Sequence, residues 1–287
     1  MIERVAIVGT GLIGASVGLA LKANGFAGSI VGWDASAAEL EAALTMGAID
    51  EALTSREDVL AAEADCFVLC TPVMAILDWI QRLASVLGEG TLVTDVGSTK
   101  REISMLASKL FNQSGRARFL PGHPMAGKEA GGAALAEASL FSGATWLFTP
   151  GGETGAIEAE WRALVAGFGA QVRDLDPERH DAVCAWVSHL PQMVSTAMSA
   201  MLEDQFAGDR EGMAAVQAIG GRALREMTRL GASPYSMWRD VAMTNTHAVA
   251  ETLAALEQRL AHVRENLRTP ELRDEFGKAN RFRAKRG

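Results

Sequence analysis

The chain has 287 residues, 48% of them hydrophobic and 22% charged, which is typical of a globular protein large enough for two domains. It contains 27 Lys and Arg against 35 Asp and Glu, and the resulting net charge of −8 argues against nucleic acid as the main partner. The uncharged stretch over residues 5–21 holds four glycines in a turn pattern, so it fits neither a signal peptide nor a membrane span.

The three cysteines are Cys66, Cys70 and Cys184. Cys66 and Cys70 lie four residues apart on a predicted strand, which is too far for a disulfide, and they lack the spacing of a metal knuckle. We interpret all three as reduced thiols of a cytoplasmic protein, and the sequence shows no metal-binding cluster.

The first predicted unit is a buried strand that runs into Gly9-Thr10-Gly11-Leu12-Ile13-Gly14 and then into a helix. In this G-x-G-x-x-G pattern the first glycine permits a tight turn, the second lets a pyrophosphate approach the backbone, and the third lets the helix lie close to the strand. Asp34 follows Gly14 by 20 residues, at a place where a carboxylate accepts hydrogen bonds from the ribose hydroxyls. Because Asp34 repels a 2′-phosphate, the sequence predicts NAD rather than NADP.

The rest of residues 1–174 alternates strand and helix patterns, which is typical of βαβ units and a parallel sheet. The further predicted strands are residues 29–33, 66–70, 91–94, 118–120, 145–149 and 171–173. The predicted helices are residues 37–46, capped by Ser36 and ended by Gly47, then 74–87, a helix ending near 110, and 154–168.

Five predicted loops directly follow strands. They are residues 9–14, Asp34, 71–73, 95–100 and 122–127. In a parallel sheet such loops lie along the carboxyl edge, where open α/β sheets bind their ligands near the switch point in strand order. We therefore expect these loops to be neighbours in space.

From residue 175 onward the pattern is helical. The segment 182–202 is apolar on nearly all faces, which indicates a helix buried in a bundle or between subunits, with a kink at Pro191. Seven methionines lie between Met193 and Met243, a pattern that fits flexible core packing or a subunit interface equally well. A homodimer is expected, and the basic tail at 278–287 reads as a solvated end.

His123 is the best candidate for acid–base chemistry. It lies between Gly122 and Pro124 in a predicted loop after a strand, and its ordinary pKa is close to neutral pH. A histidine that caps the loop is the alternative. On the neighbouring loop, Ser98 could bind the substrate or the nicotinamide, or else cap the helix behind it, and Lys100 could serve an anion.

The helical half offers one histidine and several arginines. His189 lies on an otherwise apolar helix, where a histidine is either functional or a hydrogen-bonded core residue. Arg225 and Arg229 are four residues apart and share a helix face, which suits a dicarboxylate substrate, although a solvated basic face is the alternative. Arg222 and Arg239 are further polar candidates.

Six motifs form one set along the chain: Gly9–Gly14, Thr71-Pro72-Val73, Asp95–Lys100, Gly122–Gly127, Ser188-His189-Leu190-Pro191 and Ser233–Asp240. This set resembles the prephenate/arogenate (cyclohexadienyl) dehydrogenase family of tyrosine biosynthesis, over about residues 3–265. The resemblance implies an NAD-binding Rossmann-type domain with a doubly wound parallel sheet, residues 1–174. An all-helical substrate and dimerisation domain similar to that of 6-phosphogluconate dehydrogenase follows, residues 175–287.

The implied reaction is NAD-dependent oxidative decarboxylation of prephenate to 4-hydroxyphenylpyruvate, of arogenate to tyrosine, or of both, without a metal. By resemblance, His123 deprotonates the C4 hydroxyl, Ser98 holds that hydroxyl and the nicotinamide in register, and Arg229 binds a substrate carboxylate. The other implied substrate contacts are His189, Glu129 at the pocket rim, and Trp238. The implied cofactor contacts are Gly9, Gly11, Leu12, Ile13, Gly14, Asp34, Thr71, Pro72, Val73 and Ser98.

At Lys128 and Gln192 the chain departs from residues that are common in the family. From its length we expect the minimal form of the enzyme, without a regulatory domain or a chorismate mutase domain. Arogenate carries an ammonium group that calls for an acidic partner, and residues 129–133 offer only Glu129. The sequence therefore favours prephenate. One alternative is a β-hydroxyacid dehydrogenase or imine reductase on the same plan, with a catalytic lysine on the helical domain. The other is a catalytically silent NAD-sensing protein.

Overall fold

The computed structural model describes residues 1–285, so Arg286 of the predicted basic tail lies outside the described residues. The strands are β1 (Arg4–Val8), β2 (Ser29–Trp33), β3 (Glu51–Ala52), β4 (Cys66–Leu69), β5 (Leu92–Asp95), β6 (Arg118–Leu120), β7 (Gly122–Pro124), β8 (Thr145–Phe148) and β9 (Gln171–Asp174). The helices of the first half are α1 (Leu12–Ala23), α2 (Ala37–Thr45), α3 (Arg56–Leu60), α4 (Val73–Ala84), α5 (Arg101–Leu110) and α6 (Ala156–Gly167). Those of the second half are α7 (Pro177–Cys184), α8 (Leu190–Phe206), α9 (Arg210–Ile219), α10 (Arg222–Thr228), α11 (Tyr235–Thr244), α12 (Thr246–Glu265) and α13 (Pro270–Ala284).

Strands β1 to β6 form one parallel sheet in the order β3-β2-β1-β4-β5-β6. Strand β1 is central: Val5 lies opposite Ile30 of β2 on one side and Cys66 of β4 on the other. The strand order reverses between β1 and β4, so the carboxyl ends of these two strands form the switch point. The predicted doubly wound parallel sheet is confirmed, and β3 and α3 are elements that the sequence patterns did not predict.

A second sheet has the order β7-β8-β9, with β7 antiparallel to β8 and β8 parallel to β9. The prediction that residues 145–149 and 171–173 belong to the one parallel sheet is therefore wrong. A parallel return needs a crossover, but only Pro121 separates β6 from β7, so the chain leaves the first sheet instead. His123 consequently lies on a short strand opposite Leu147, and not in the predicted loop.

The core covers both faces of the parallel sheet. Val5 and Ile7 of β1 pack into one apolar cluster, whereas Ala6 and Val8 pack into the other, as the two-residue period of a strand requires. Burial on both faces explains why β1 reads as a continuous apolar run. The first cluster also takes in Trp146 of the second sheet, which joins that sheet to the same core.

From Pro177 onward the described residues form helices and turns. The predicted helix over 182–202 lies within a stretch that is helical from Pro177 to Phe206, and Ala185–His189 form a π-helical turn inside it, between α7 and α8. Pro191 stands in the first turn of α8, where a missing N–H costs no hydrogen bond. Such π-helical turns occur often at functional sites, and this one ends at His189.

The helical half exposes many apolar side chains. Only Gln192 and Ser195 of α8 are buried within the described chain, so the first of the two predicted alternatives, a helix buried in a bundle, is wrong for α8, and a helix buried between subunits stays a prediction. Four of the seven methionines, Met201, Met227, Met237 and Met243, are 40–70% exposed, which also contradicts core packing at these positions. The exposed parts of these side chains are not covered by residues 1–285, and the subunit interface stays a prediction.

The two halves are joined by polar contacts at helix starts. Asp181 of α7 accepts hydrogen bonds from the backbone N–H groups of Lys100 (2.7 Å) and Arg101 (3.0 Å), where α5 begins. Asp240 of α11 accepts from the N–H of Met74 (3.1 Å) in the first turn of α4. A carboxylate is stabilised at a helix N-terminus by free N–H groups and the helix dipole. Both helices that follow the central strands β4 and β5 are thus capped by the helical half.

Within residues 1–285, none of the helices combines the length and the apolar content needed to cross a membrane.

The thiols of Cys66, Cys70 and Cys184 are free. The basic side chains of the tail that the structure describes are exposed, on or just behind α13. The boundary between domains at residues 174 and 175 stays a prediction; β9 ends at Asp174.

Candidate active site

The glycine turn between β1 and α1 is held by close contacts. Gly9 has a φ of +97°, a conformation that side chains other than glycine rarely adopt, and a Cβ there would lie 2.8 Å from the carbonyl carbon of Cys70. A Cβ at Gly14 would lie 1.9 Å from the carbonyl oxygen of Gly9, so α1 packs against the turn only because this residue is glycine. A Cβ at Gly11 would meet nothing within 4 Å, which leaves this side of the turn open to a ligand.

Asp34 lies beside the glycine turn. Its carboxylate accepts hydrogen bonds from the backbone N–H groups of Thr10 (2.7 Å) and Ser36 (2.8 Å), one to each oxygen. These two bonds fix the orientation of the side chain, and each oxygen keeps a lone pair for another donor. The helix N-terminus next to it has no side-chain cap, in contrast to α4 and α5, which receive the carboxylates of Asp240 and Asp181.

The loop behind β4 contributes Thr71, Pro72 and Val73 to the same sheet edge. Pro72 precedes α4, which begins at Val73. The hydroxyl oxygen of Thr71 is buried and has no hydrogen-bond partner among residues 1–285. A buried hydroxyl without a partner is costly, so a bound ligand is a fitting partner for it.

A cavity of about 550 Å³ lies between the carboxyl edge of the sheet and the helical half. Seven of the residues predicted to contact the cofactor or the substrate line it: Gly11, Leu12, Ile13, Ser98, His123, Glu129 and Trp238. The helical half closes it with Val187, Ser188, Pro234, Met237, Trp238 and Val241. The predicted convergence of the loops behind β1, β5 and β6 is thus what the structure shows.

His123 lines this cavity and is otherwise buried. Its Nδ1 lies 2.8 Å from Nε2 of His180 in α7. Burial holds the pKa of His123 well below its usual range, and the nearby His180, Lys100 and His189 lower it further when they carry positive charge. A neutral imidazole whose Nδ1 is already engaged leaves Nε2 as the atom available to a ligand.

His180 and Asp181 are site residues that the sequence reasoning missed. Nδ1 of His180 lies 2.8 Å from Oδ1 of Asp181, and both side chains are buried. Burial lowers the pKa of His180, while its bond to Asp181 opposes that shift. A weak signal exists in the sequence, because His180 and Asp181 are adjacent polar residues near the start of the helical half. Nothing in the local pattern links them to His123, which is 57 residues away.

Ser98 and Lys100 lie on the same turn but have different environments. Ser98 lines the cavity, and α5 begins only at Arg101, so Ser98 is not the N-cap of that helix. Lys100 is fully buried, with its Nζ bonded to a carboxylate oxygen of Asp95 and, at 2.7 Å, to the carbonyl oxygen of Gly122. The expectation that Lys100 serves an anionic ligand is therefore wrong.

The buried pair of Lys100 and Asp95 supports the strand that carries His123. Asp95 also accepts hydrogen bonds from the N–H groups of Gly97 (2.7 Å) and Gly122 (3.1 Å). Burial raises the pKa of Asp95 and lowers that of Lys100, and each partner opposes the shift of the other. These contacts fix Gly122, and with it the neighbouring His123, against the end of β5.

The predicted substrate contacts of the helical half reach the site to different extents. Trp238 lines the cavity, and its indole N–H is buried without a hydrogen-bond partner in the part of the chain that the structure describes. His189 is not part of the lining; it packs edge-on against Trp238, with 5.9 Å between the ring centroids. Nδ1 of His189 lies 3.2 Å from the amide nitrogen of Asn245, Nε2 has no partner, and burial lowers the pKa of His189 to about 4. Arg229 lies just outside the lining, where its guanidinium forms an ion pair with Glu129.

One group of possible metal ligands occurs among the described residues. Nitrogen and sulfur atoms of His123, His180 and Cys184 all lie within 4.8 Å of one another. Sγ of Cys184 is 3.6 Å from Nε2 of His180, and burial raises the pKa of the Cys184 thiol to about 12. The three residues come from both halves of the chain, which is why their spacing in the sequence did not reveal the group.

Comparisons with known proteins agree with this geometry. A family model described as prephenate dehydrogenase, nucleotide-binding domain, matches residues 17–173, and one described as prephenate dehydrogenase, dimerization domain, matches residues 176–279. Prephenate dehydrogenase of Bacillus subtilis (strain 168) is 34% identical over 254 residues, which is 88% of this chain and 66% of that protein. This chain thus spans about two thirds of the length of that relative.

Two solved structures resemble the whole chain. Prephenate dehydrogenase from Aquifex aeolicus, in complex with hydroxyphenyl propionate and NAD+, has a TM-score of 0.85 and 28% identity, covering 100% of this chain and 98% of that chain. Synechocystis arogenate dehydrogenase has a TM-score of 0.77 and 30% identity, covering 99% of this chain and 100% of that chain. The chain belongs to the prephenate dehydrogenase family, in which a nucleotide-binding domain precedes a helical dimerisation domain.

Proposed function

We propose that this protein is an NAD-dependent dehydrogenase that oxidises and decarboxylates prephenate, arogenate or both, with His123 as the base. One observation carries the proposal: a buried histidine, whose pKa is lowered by its burial, faces a cavity of about 550 Å³ between an uncapped glycine turn and the helical half. Similarity to the prephenate and arogenate dehydrogenases supports the same reaction.

The residues at the sheet edge fit a dinucleotide. The first turn of α1 has free N–H groups and no side-chain cap, and Gly11 leaves its backbone open to a pyrophosphate. Asp34 holds a carboxylate beside this turn, suited to the ribose hydroxyls, and the hydroxyl of Thr71 lacks a partner. The A. aeolicus relative, solved with NAD+, makes NAD the natural choice.

Bound NAD supplies the acceptor for the hydride that leaves C4 of the substrate ring. Nε2 of His123 takes the proton of the C4 hydroxyl as the hydride departs. The C4–OH group therefore becomes a neutral ketone rather than a protonated, positively charged carbonyl. Loss of the ring carboxylate as CO₂ then makes the ring aromatic and places negative charge on that oxygen. The protonated His123 returns its proton there, so the product is a phenol and the base is restored.

The other polar side chains position the substrate. Ser98 lines the cavity on the turn next to His123 and is placed to bond the C4 hydroxyl and the nicotinamide. The guanidinium of Arg229 is planar and binds a carboxylate through two hydrogen bonds, which suits the side-chain carboxylate of the substrate. The unpaired N–H of Trp238 offers one more donor.

We assign prephenate as the preferred substrate. Glu129 is the one acidic side chain among the described residues that line the cavity, and its carboxylate is already paired with Arg229. The ammonium group of arogenate would therefore have to compete with Arg229 for this carboxylate, whereas the keto group of prephenate needs no carboxylate.

The catalytic lysine that a β-hydroxyacid dehydrogenase or imine reductase would carry on its helical domain has no counterpart on the helical side of this cavity among the described residues; Lys128, which lines the cavity, belongs to the nucleotide-binding half. In the part of the helical half that the structure describes, the lysines are Lys278 in α13 and Lys285 directly behind it, and neither lines the cavity. His123, Ser98 and Glu129 instead line one cavity, with Arg229 paired to Glu129 just outside it, which favours the oxidative decarboxylation over a silent NAD-binding protein.

The test follows reduced cofactor with NAD or NADP against prephenate and arogenate. We expect turnover of prephenate with NAD, and a loss of roughly 10²–10⁴-fold in kcat for His123→Asn with unchanged affinity for NAD. Full activity of His123→Asn would refute the role of His123. Turnover of a small hydroxy acid with none of either cyclohexadiene would refute the reaction.

A further inference from the structure

A line of three buried side chains runs from the cavity into the helical half. Nδ1 of His123 lies 2.8 Å from Nε2 of His180, and Nδ1 of His180 lies 2.8 Å from Oδ1 of Asp181. All three residues are less than 10% exposed. His123 belongs to β7 of the nucleotide-binding half, whereas His180 and Asp181 belong to α7, so the line exists only when the halves are docked.

The direction of the hydrogen bonds follows from the far end of this line. Both carboxylate oxygens of Asp181 accept from backbone N–H groups, those of Lys100 and Arg101, and an N–H group can only donate. Asp181 is therefore held as an acceptor, and Nδ1 of His180 must donate to it. Neutral His180 then has a bare Nε2, which accepts from Nδ1–H of His123. Neutral His123 is left with its lone pair on Nε2, the nitrogen that the base reaction needs.

We propose that His180 and Asp181 are positioning residues that hold His123 in the Nδ1–H form and stabilise its cation during the reaction. This proposal rests on the proposed role of His123 as the base. When Nε2 of His123 takes the hydroxyl proton, its Nδ1–H already points at an acceptor, so no group has to reorient. The positive charge then lies at one end of a line that ends in the Asp181 carboxylate. The proton goes back to the substrate oxygen through the same Nε2, so proton number balances over the cycle.

Charged and titratable neighbours of this line come from several elements. Lys100, next to α5, and His189, in the π-helical turn, face it and lower the pKa of His123 when charged, and Asp95 of β5 neutralises Lys100. Cys184 lies one helical turn beyond His180, with Sγ 3.6 Å from Nε2 of His180. With a pKa raised to about 12, this thiol adds no charge to the line. It also provides a neighbouring position for a control.

The experiment compares three variants of the full chain: His180→Leu, His180→Gln and Cys184→Ala. His180→Leu removes the acceptor, and we expect kcat for prephenate to fall roughly 10- to 100-fold, which is part of the ~10²–10⁴-fold that a positioned base contributes. KM should change by less than about threefold, because the line does not touch the substrate. Gln can still accept at this position, so His180→Gln should recover part of kcat. Cys184→Ala removes a buried side chain of the same helix and should keep kcat within about twofold.

A second readout does not depend on turnover. Nitrogen NMR of ¹⁵N-histidine-labelled protein distinguishes the protonated from the bare ring nitrogen, and we expect His123 to carry its proton on Nδ1 in the parent chain and to lose this preference in His180→Leu. The proposal is overturned if His123 carries its proton on Nε2, or if His180→Leu keeps kcat within about twofold. If prephenate is not a substrate, the proposed function fails, while the NMR result still decides the tautomer.

Discussion

Glu129 and Arg229 form an ion pair with each other at the rim of the cavity. The resemblance assigns each of them to the substrate separately, but the structure shows that the guanidinium already has a carboxylate partner. In the proposed reaction, a substrate carboxylate would therefore compete with Glu129 for Arg229. Both side chains are partly exposed, so the pair can open without leaving a charge buried.

Replacing Arg229 should weaken substrate binding more than it slows the chemical step. For Arg229→Met we expect KM for prephenate to rise roughly 10- to 100-fold, the equivalent of losing a charge-assisted hydrogen bond. Steady-state kinetics with saturating NAD measure this. Arg225→Met is the matched control, since Arg225 is exposed, lies one turn earlier and does not line the cavity. An unchanged KM for Arg229→Met would show that Arg229 does not bind the substrate.

Asp34 should decide the choice between the two nicotinamide cofactors. Asp34→Asn keeps an acceptor for one of the N–H groups of Thr10 and Ser36 but removes the charge that binds the ribose and repels a 2′-phosphate. We expect the ratio of kcat/KM for NAD over NADP to fall roughly 10- to 100-fold. Asp58→Asn, which alters a carboxylate that also accepts from backbone N–H groups, should leave the ratio unchanged.

We expect the buried ion pair of Lys100 and Asp95 to contribute to the stability of the fold. Lys100→Met leaves the carboxylate of Asp95 buried without its cation, and we expect the free energy of unfolding to fall by ~3–5 kcal/mol. The double variant Asp95→Asn with Lys100→Met removes both charges and should recover part of this loss. Urea unfolding measures the free energy of unfolding of the parent chain, of Lys100→Met and of the double variant, with the exposed Lys109→Met as the control. A double variant less stable than Lys100→Met would contradict the argument.

The buried histidines predict a loss of stability in mild acid. Burial lowers the pKa of His189 to about 4, whereas an unfolded histidine titrates near ~6.5. Between these values the unfolded chain binds a proton that the folded chain does not, so stability is full above about pH 6.5 and falls as the pH decreases towards 4. The pKa values of His123 and His180 are lowered as well, so they act in the same direction.

The contribution of His189 can be separated from the others by substitution. Removing it as His189→Gln should lessen the difference in unfolding free energy between about pH 7.5 and about pH 5 by roughly 2 kcal/mol. Urea unfolding at both pH values measures the difference. His247 is exposed, so His247→Gln should leave it unaltered. An equal pH dependence in His189→Gln and the parent chain would refute the assignment.

The exposed apolar side chains of the helical half predict a homodimer. Met201 of α8 is 70% exposed, and a charge placed there should break a subunit interface that uses this face. We expect sedimentation velocity to show a dimer for the parent chain and a monomer for Met201→Glu. Val86 is 52% exposed in the nucleotide-binding half, so Val86→Glu should remain dimeric. A monomeric parent chain would contradict the prediction.

Local patterns in the sequence were enough to identify the sheet edge. The turn from Gly9 to Gly14 depends on backbone sterics within a few residues, and the apolar runs of β1, β2, β4 and β5 report burial on both faces. The position of Asp34 follows from the same short unit. These features could be predicted because each depends on residues that are close together along the chain.

The working arrangement of the site was decided by contacts between distant residues. Only the fold places His123 on a strand against His180, buries Lys100 on Asp95 and pairs Glu129 with Arg229. The sequence determined which residue types reach the sheet edge, but their protonation and partners follow from burial and docking of the two halves. Desolvation depends on everything that surrounds a group, so no local pattern predicts that the pKa of His123 is lowered or that Lys100 is unavailable to a ligand.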